Sequence, residues 1–165
     1  CQDNNLVRRL ALRLVEHLRS LTDEIEDLTE EITGRVTQTA PALLAIVGCG
    51  ALTAAKIVGE TAGAHRFRSK DAFARHNGTA PLPVWSSNKQ RHRLSRTGNR
   101  QLNAAIHRIA ITQARFHPPA RQLLDRRKAD GDGGMEALRI LKRRLSDVVY
   151  KAMLTDQKTS SSAAA

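Results

Sequence analysis

Aromatic residues are scarce in this chain of 165 residues, at 3% of the total. A core must therefore be aliphatic, and such a core favours helices. No apolar run approaches the ~20 residues of a spanning helix, so a membrane is not an expected partner. Cysteine is limited to Cys1 and Cys49. These offer neither a metal-ligand spacing nor an obvious pair, and a reducing cytoplasm is the expected compartment. Acidic residues are absent from the run Lys89, Arg91, Arg93, Arg96 and Arg100.

What is present is positive charge. The formal net charge is +11. Residues 1–34 hold four Arg against eight Asp or Glu, so the whole excess lies beyond Gly34. A mildly acidic arm on a strongly basic body points to a polyanionic partner, with nucleic acid favoured. Opening on Cys1 rather than Met, the chain is expected to be a piece of something longer.

Val7, Leu10, Leu14, Leu18, Leu21, Ile25, Leu28 and Ile32 recur at three- and four-residue steps. This near-heptad predicts one long amphipathic helix over 6–32, ended by Gly34. Its seam seeks a partner helix, in another copy or on its own chain, and a homo-oligomer through this arm is expected. Pro41 then opens a second helix. Val47-Gly-Cys-Gly-Ala-Leu-Thr-Ala-Ala-Lys56 follows, a hydrophobic helix, a Gly-x-Gly turn and another helix. It resembles a helix-hairpin-helix element, in which glycines admit a phosphate and amide N–H groups at a helix start face it. Gly48, Gly50, Thr53 and Lys56 are the candidate backbone-binding residues. A plain helical hairpin with a glycine turn is the alternative.

Ser69 is expected to cap a short helix over 70–76, with Phe73 inward and both Phe67 and Phe73 in the core. The stretch 77–99 reads as loop-like, since Gly78, Pro81 and Pro83 exclude a regular helix. It carries Ser86 and Ser87 after the only Trp, then the cations. A serine beside fixed cations can attack or hold a phosphate, because the cations stabilise alkoxide and phosphoryl charge. The alternative is a basic surface loop whose serines only make turns. A helix follows from Arg100 to about His117, with Leu102, Ile106, Ile109 and Ala110 inward. His107, four residues after Asn103, reads as bonded within helix packing, and as a base for a serine in the second instance; His92 is a further histidine near the serines. Pro118-Pro119 stops this helix, and a basic helix spans 121–128. Asp130 and Asp132 are too few oxygen ligands for a cation, so no metal site is expected. The last helix, 135–154, has Leu138, Leu141, Leu145, Val148 and Val149 on its apolar face, and Arg139, Lys142, Arg143 and Arg144 on the other. Residues 155–165 are polar and expected to be disordered. The fold class is thus mainly α: a helical arm (1–34) and a compact helical domain (35–154) with a helix-hairpin-helix-like element.

Gly48-Cys-Gly-Ala-Leu-Thr-Ala-Ala-Lys56, Phe73-Ala-Arg-His-Asn-Gly-Thr-Ala-Pro81, Trp85-Ser-Ser-Asn, Arg91-His-Arg-Leu-Ser-Arg-Thr-Gly-Asn-Arg-Gln-Leu-Asn103 and Ala105-Ile-His-Arg-Ile-Ala110 form an ordered series. It resembles the C-terminal half of insertion-sequence transposases related to the Piv DNA invertase, over about residues 5–154. In that family a RuvC-like domain with four acidic residues precedes a helical linker and a serine-bearing domain, and a structured bridge RNA chooses the DNA. The resemblance implies a transposase or recombinase. Ser86 would be its nucleophile, with Ser87 as the fallback because the family's Ser-Ser-Gly or Trp-Ser-Gly pattern shifts the register by one; Asn88 departs from the glycine common in some members. It implies phosphate-binding roles for Lys89, Arg91, Arg93, Arg96 and Arg100, DNA and a guide RNA as partners, and a bacterial, nucleoid-associated location. No acidic quartet precedes the long helix, so Mg²⁺ is expected in the absent RuvC-like half, with no cofactor in this chain, and a non-catalytic nucleic-acid-binding remnant is the alternative.

Overall fold

A single helix, α1 (Gln2–Thr39), opens the chain. The computed structural model describes residues 2–86, 89–93 and 97–163, and the side chains of residues 5–82 and 97–159. Gly34 does not end α1, contrary to the expectation from sequence. A glycine costs a helix interior about 1 kcal/mol, which a long helix tolerates. Gly34 has neither the positive φ of a helix-ending glycine nor any atom within 4 Å of a Cβ placed on it. An Arg35–Glu31 ion pair spans it, and Thr33 and Thr37 return hydroxyl bonds to the preceding turn. Residues 5–28 of α1 are exposed throughout, including Val7, Leu14, Leu18 and Ile25, each more than 60% accessible. Among the described residues of α1 only Ile32 and Val36 reach the core, with Ala40 just beyond its end.

Beyond α1 come α2 (Pro41–Leu44), α3 (Ala51–Thr61), a 3₁₀ turn at Ala64–Arg66, α4 (Lys70–His76), β1 (Leu82–Ser86), β2 (Lys89–Arg93), α5 (Arg100–Phe116), α6 (Pro118–Ala129) and α7 (Gly134–Ala163). α7 touches the most elements, namely α1, α2, the 3₁₀ turn, α4, α5 and α6, while α5 is packed by α3, α6 and α7. The inward stripe of α5 is Leu102, Ala105, Ile106, Ile109, Ala110 and Gln113, at the spacing of one helix face. Leu43, Ile57, Phe73, Leu102, Ile106, Ile109 and Val149 are fully buried around it. Each such side chain contributes about 1.5–3 kcal/mol on leaving water. Phe73 stacks on Tyr150, Phe67 meets Phe73 edge-on, and the Tyr150 hydroxyl donates to the Phe67 carbonyl at 2.9 Å. Both phenylalanines therefore belong to the packing, as expected.

Ser69 caps α4 by accepting the Ala72 N–H. Pro118 opens α6, and Arg127 near its end pairs with Asp130 and Asp132, so those aspartates close a loop. On α7 Val148 is 46% exposed, outside the apolar face assigned to it, while Lys142 is only 8% exposed. The segment from Thr155 continues α7 as helix to Ala163. Asp156 explains why. Its buried carboxylate accepts the N–H groups of Ala42 (2.8 Å) and Leu43 (3.3 Å), satisfying the first turn of α2. No described helix is long and apolar enough to cross a membrane.

Candidate functional site

The stretch read as a loop forms an antiparallel hairpin of β1 and β2. Ser86 pairs with Lys89, Val84 with Arg91 and Leu82 with Arg93. The register therefore sets Ser86 and Lys89 at the turn end of the ribbon, with Arg91 and Arg93 at successive alternate positions toward its root. Ser87 and Arg96 lie outside the described residues. Arg100 occupies the first position of α5 and is exposed. Residues 72–124 contain nine Lys or Arg and no Asp or Glu, so no acid from this stretch offsets the charge around the hairpin.

The hairpin is held at its root. Gly98 and Gly78 bring the two ends of the segment together: a Cβ on Gly98 would lie 2.3 Å from the Gly78 nitrogen. Gly78 also has φ +71°, a conformation that glycine adopts freely. The Asn99 N–H donates to the His76 carbonyl at 2.6 Å. The Asn99 side chain caps α5 through the Gln101 and Leu102 N–H groups and donates to Glu60 at 2.8 Å. Asn77, fully buried, knots the root to the bundle. Its Nδ2 donates to Ser146 Oγ at 2.8 Å, and its Oδ1 accepts from the Thr79 amide and hydroxyl. Its carbonyl accepts from Asn103 Nδ2 at 2.8 Å, and Asn103 Oδ1 accepts from Lys142 Nζ at 2.6 Å. The segment after α4, α5 and α7 thus meet in one largely buried polar network.

Burial, with Arg139 nearby, holds the Lys142 ammonium below its ordinary pKa. Burial, with Lys142 as the adjacent cation, also lowers His107. His107 Nδ1 is buried without a hydrogen-bond partner among the described residues, so the bond expected for this imidazole within the helix packing is not made at that nitrogen.

The glycine turn stands apart. Gly48 has φ +85°, and a Cβ there would meet Thr112 at 3.0 Å and the Ile109 carbonyl at 3.3 Å. Gln113 Nε2 donates to the Val47 carbonyl at 2.8 Å. Gly48 is therefore a packing glycine against α5, whereas Gly50 faces open space at the start of α3. Thr53 and Lys56 are half-buried on α3. Thr112 and Gln113 lie some twelve residues along α5 from the hairpin root, roughly 20 Å at helical rise. The two candidate sets are not brought together into one site. Cys49 is buried, and desolvation pushes its thiol up to about 11, away from reactive thiolate. Among the described residues no three His, Cys, Asp or Glu side chains cluster to offer a metal cage.

Sequence reasoning missed Asn77 and Lys142. Asn-Gly-Thr is an Asx-turn signature, and it was the available signal for Asn77. Lys142 sits between Leu138 and Leu145 at core spacing, which marks it as an inward position despite its charge.

A helical body presents a root-clamped basic hairpin, and comparison places the chain in a class, that of transposases. The transposase family described as IS116/IS110/IS902 matches residues 40–125, more than half of the chain. The chain belongs to that family. It is also 29% identical over 155 residues to the "Insertion element IS900 uncharacterized 42 kDa protein" of Mycobacterium paratuberculosis. That match covers 92% of this chain and 39% of the relative, so the chain spans well under half of the relative's length.

Proposed function

We propose that this chain is the nucleic-acid-binding, serine-bearing part of a DNA transposase. Ser86 Oγ attacks a DNA phosphorus. One Oγ–P bond forms, one P–O bond to a sugar breaks, and the serine proton ends on the released sugar oxygen. A second strand's hydroxyl reverses the step, conserving the bond energy. Lys89, Arg91 and Arg93 offset the phosphate charge, and Ser87, Arg96 and Arg100 are the further candidates of the same stretch of sequence. A RuvC-like partner domain supplies the carboxylates and Mg²⁺, a guide RNA selects the DNA, and exposed α1 pairs with α1 of another copy. Gly50, Thr53 and Lys56 hold backbone at a second, remote contact, in the manner of a helix-hairpin-helix. The observation that carries this reading is the register of Ser86 against Lys89 in a rigidly rooted basic hairpin within the family-matching region.

The test is a suicide DNA substrate given to the chain together with the RuvC-like half. A covalent adduct lost in Ser86→Ala is expected. An adduct that survives both Ser86→Ala and Ser87→Ala removes the serine assignment. The second reading, a non-catalytic binding module, is favoured if no adduct forms while binding weakens steeply with salt, as counterion release requires.

A further inference from the structure

A cavity of about 350 Å³ opens beside the hairpin root, between Thr79–Pro81 and one face of α7. This is at the lower end of the range for small-molecule pockets. Ala80, Pro81 and Ile140 give it an apolar wall, and Arg139, Arg144 and Lys142 give it charge. Two further cations at its edge are already engaged: Arg143 pairs with Asp71 and Asp147, and Arg127 with Asp130 and Asp132. Arg139 and Arg144 are different. Among the described residues neither has a carboxylate within 4.0 Å, although Glu136 lines the same cavity. Lys142 is buried, and Asn103 engages one of its three N–H donors. Burying an ammonium costs folding energy unless something anionic meets it.

We propose that this cavity receives one unstacked nucleotide of a single strand, its phosphate on Arg139 and Arg144 and its base against Ala80, Pro81 and Ile140. The cavity is larger than a phosphate alone needs, and its apolar wall suits a base face. Guanidinium planes serve as stacking partners where aromatics are absent. Pro81 leads directly into β1, so a strand crossing the hairpin that carries Ser86 passes the mouth of the cavity. A duplex keeps its bases stacked and cannot use the site.

The proposal rests on the reading that the chain binds nucleic acid. The experiment measures fluorescence anisotropy of the full chain with a short labelled DNA strand, the same sequence as RNA, and the corresponding duplex. Arg139→Ala/Arg144→Ala and, separately, the cavity-filling Ala80→Trp are expected to weaken single-strand binding about tenfold, within the worth of one stacked base, and duplex binding less than about twofold. The better-bound sugar identifies the strand. Unchanged melting temperatures establish that both variants fold, and photocrosslinking of an iodouridine-containing strand to the peptide bearing Ile140 provides a readout independent of affinity. Equal weakening of strand and duplex, or none in either, overturns the cavity while leaving nucleic-acid binding intact. A wild-type chain that binds neither overturns both.

Discussion

Gly98 rests its α-carbon against the backbone of Gly78, so closely that a methyl group there would stand 2.3 Å from one backbone atom and 2.5 Å from another. Both neighbours are main chain and cannot turn aside. Gly98→Ala is expected to destabilise the protein by about 1–3 kcal/mol, the range for overpacking. Gly59→Ala on α3, where nothing lies within 4 Å, should instead stabilise by about 0.5–1 kcal/mol. Urea unfolding midpoints compare the two. A Gly98→Ala variant as stable as wild type would mean that the root is not closed in this way.

Asn77 is the second part of that closure. Asn77→Ala strands Ser146 and the Thr79 amide and hydroxyl inside the bundle. The expected cost is about 2–3 kcal/mol, because unmet buried groups forfeit their solvation. Ser146→Ala, which strands only Asn77 Nδ2, should cost roughly half as much. Calorimetric melting of both variants checks the order.

His76 and His107 give the fold a pH dependence. Burial, then Arg66 for His76 and Lys142 for His107, lowers both below the ordinary 6.5. The unfolded chain takes up these protons at about pH 6.5, the folded chain only further into acid. Stability from this source is therefore full above pH 6.5. It falls as the pH drops below that value and levels off under the depressed folded values. His107→Leu should flatten this slope relative to wild type in melts from pH 7 downward. An unaltered slope counts against burial of the imidazole.

Asp156 makes the end of α7 structural. Removing the residues after Leu154, or making Asp156→Ala, should cost about 2 kcal/mol, since two N–H groups at the start of α2 lose a charged acceptor. Equal stability of the truncated and full chains in urea would contradict this.

The exposed part of α1 makes the opposite prediction. Deleting residues 1–28 should leave the unfolding free energy within about 0.5 kcal/mol, as for surface changes generally. If the seam pairs with a second copy, the deletion, and Leu14→Glu/Leu21→Glu in the full chain, should reduce the sedimentation coefficient to that of a monomer. A change in stability without a change in sedimentation would indicate that the arm folds back on its own body.

Periodicity made most of this fold legible. Leu102, Ile106 and Ile109 announced the face of α5, and Ser69 and Pro41 marked helix starts, because capping and spacing are local physics. Three features were not legible, each for a long-range reason. Leu82–Ser86 and Lys89–Arg93 lack the apolar–polar alternation of strands, and Pro83 argues against one, yet they pair. Residues 155–163 have the composition of a loose tail, but Asp156 and Gln157 find partners in α2 and at His65. Asn77, Asn103 and Lys142 are separated by tens of residues, and nothing in their spacing shows that they meet. Serine followed by cations without acids was visible in the sequence as a candidate chemistry. The division of the candidate residues into a clamped hairpin and a glycine turn some 20 Å away required the fold.

The solitary projection of α1 has a mechanical consequence. At helical rise its 38 residues reach about 57 Å, with only the last few turns seated on the body. A stiff rod fastened at one end sets the distance between its load and whatever grips the other. Whatever held the far end of α1 would carry the bundle at a fixed offset.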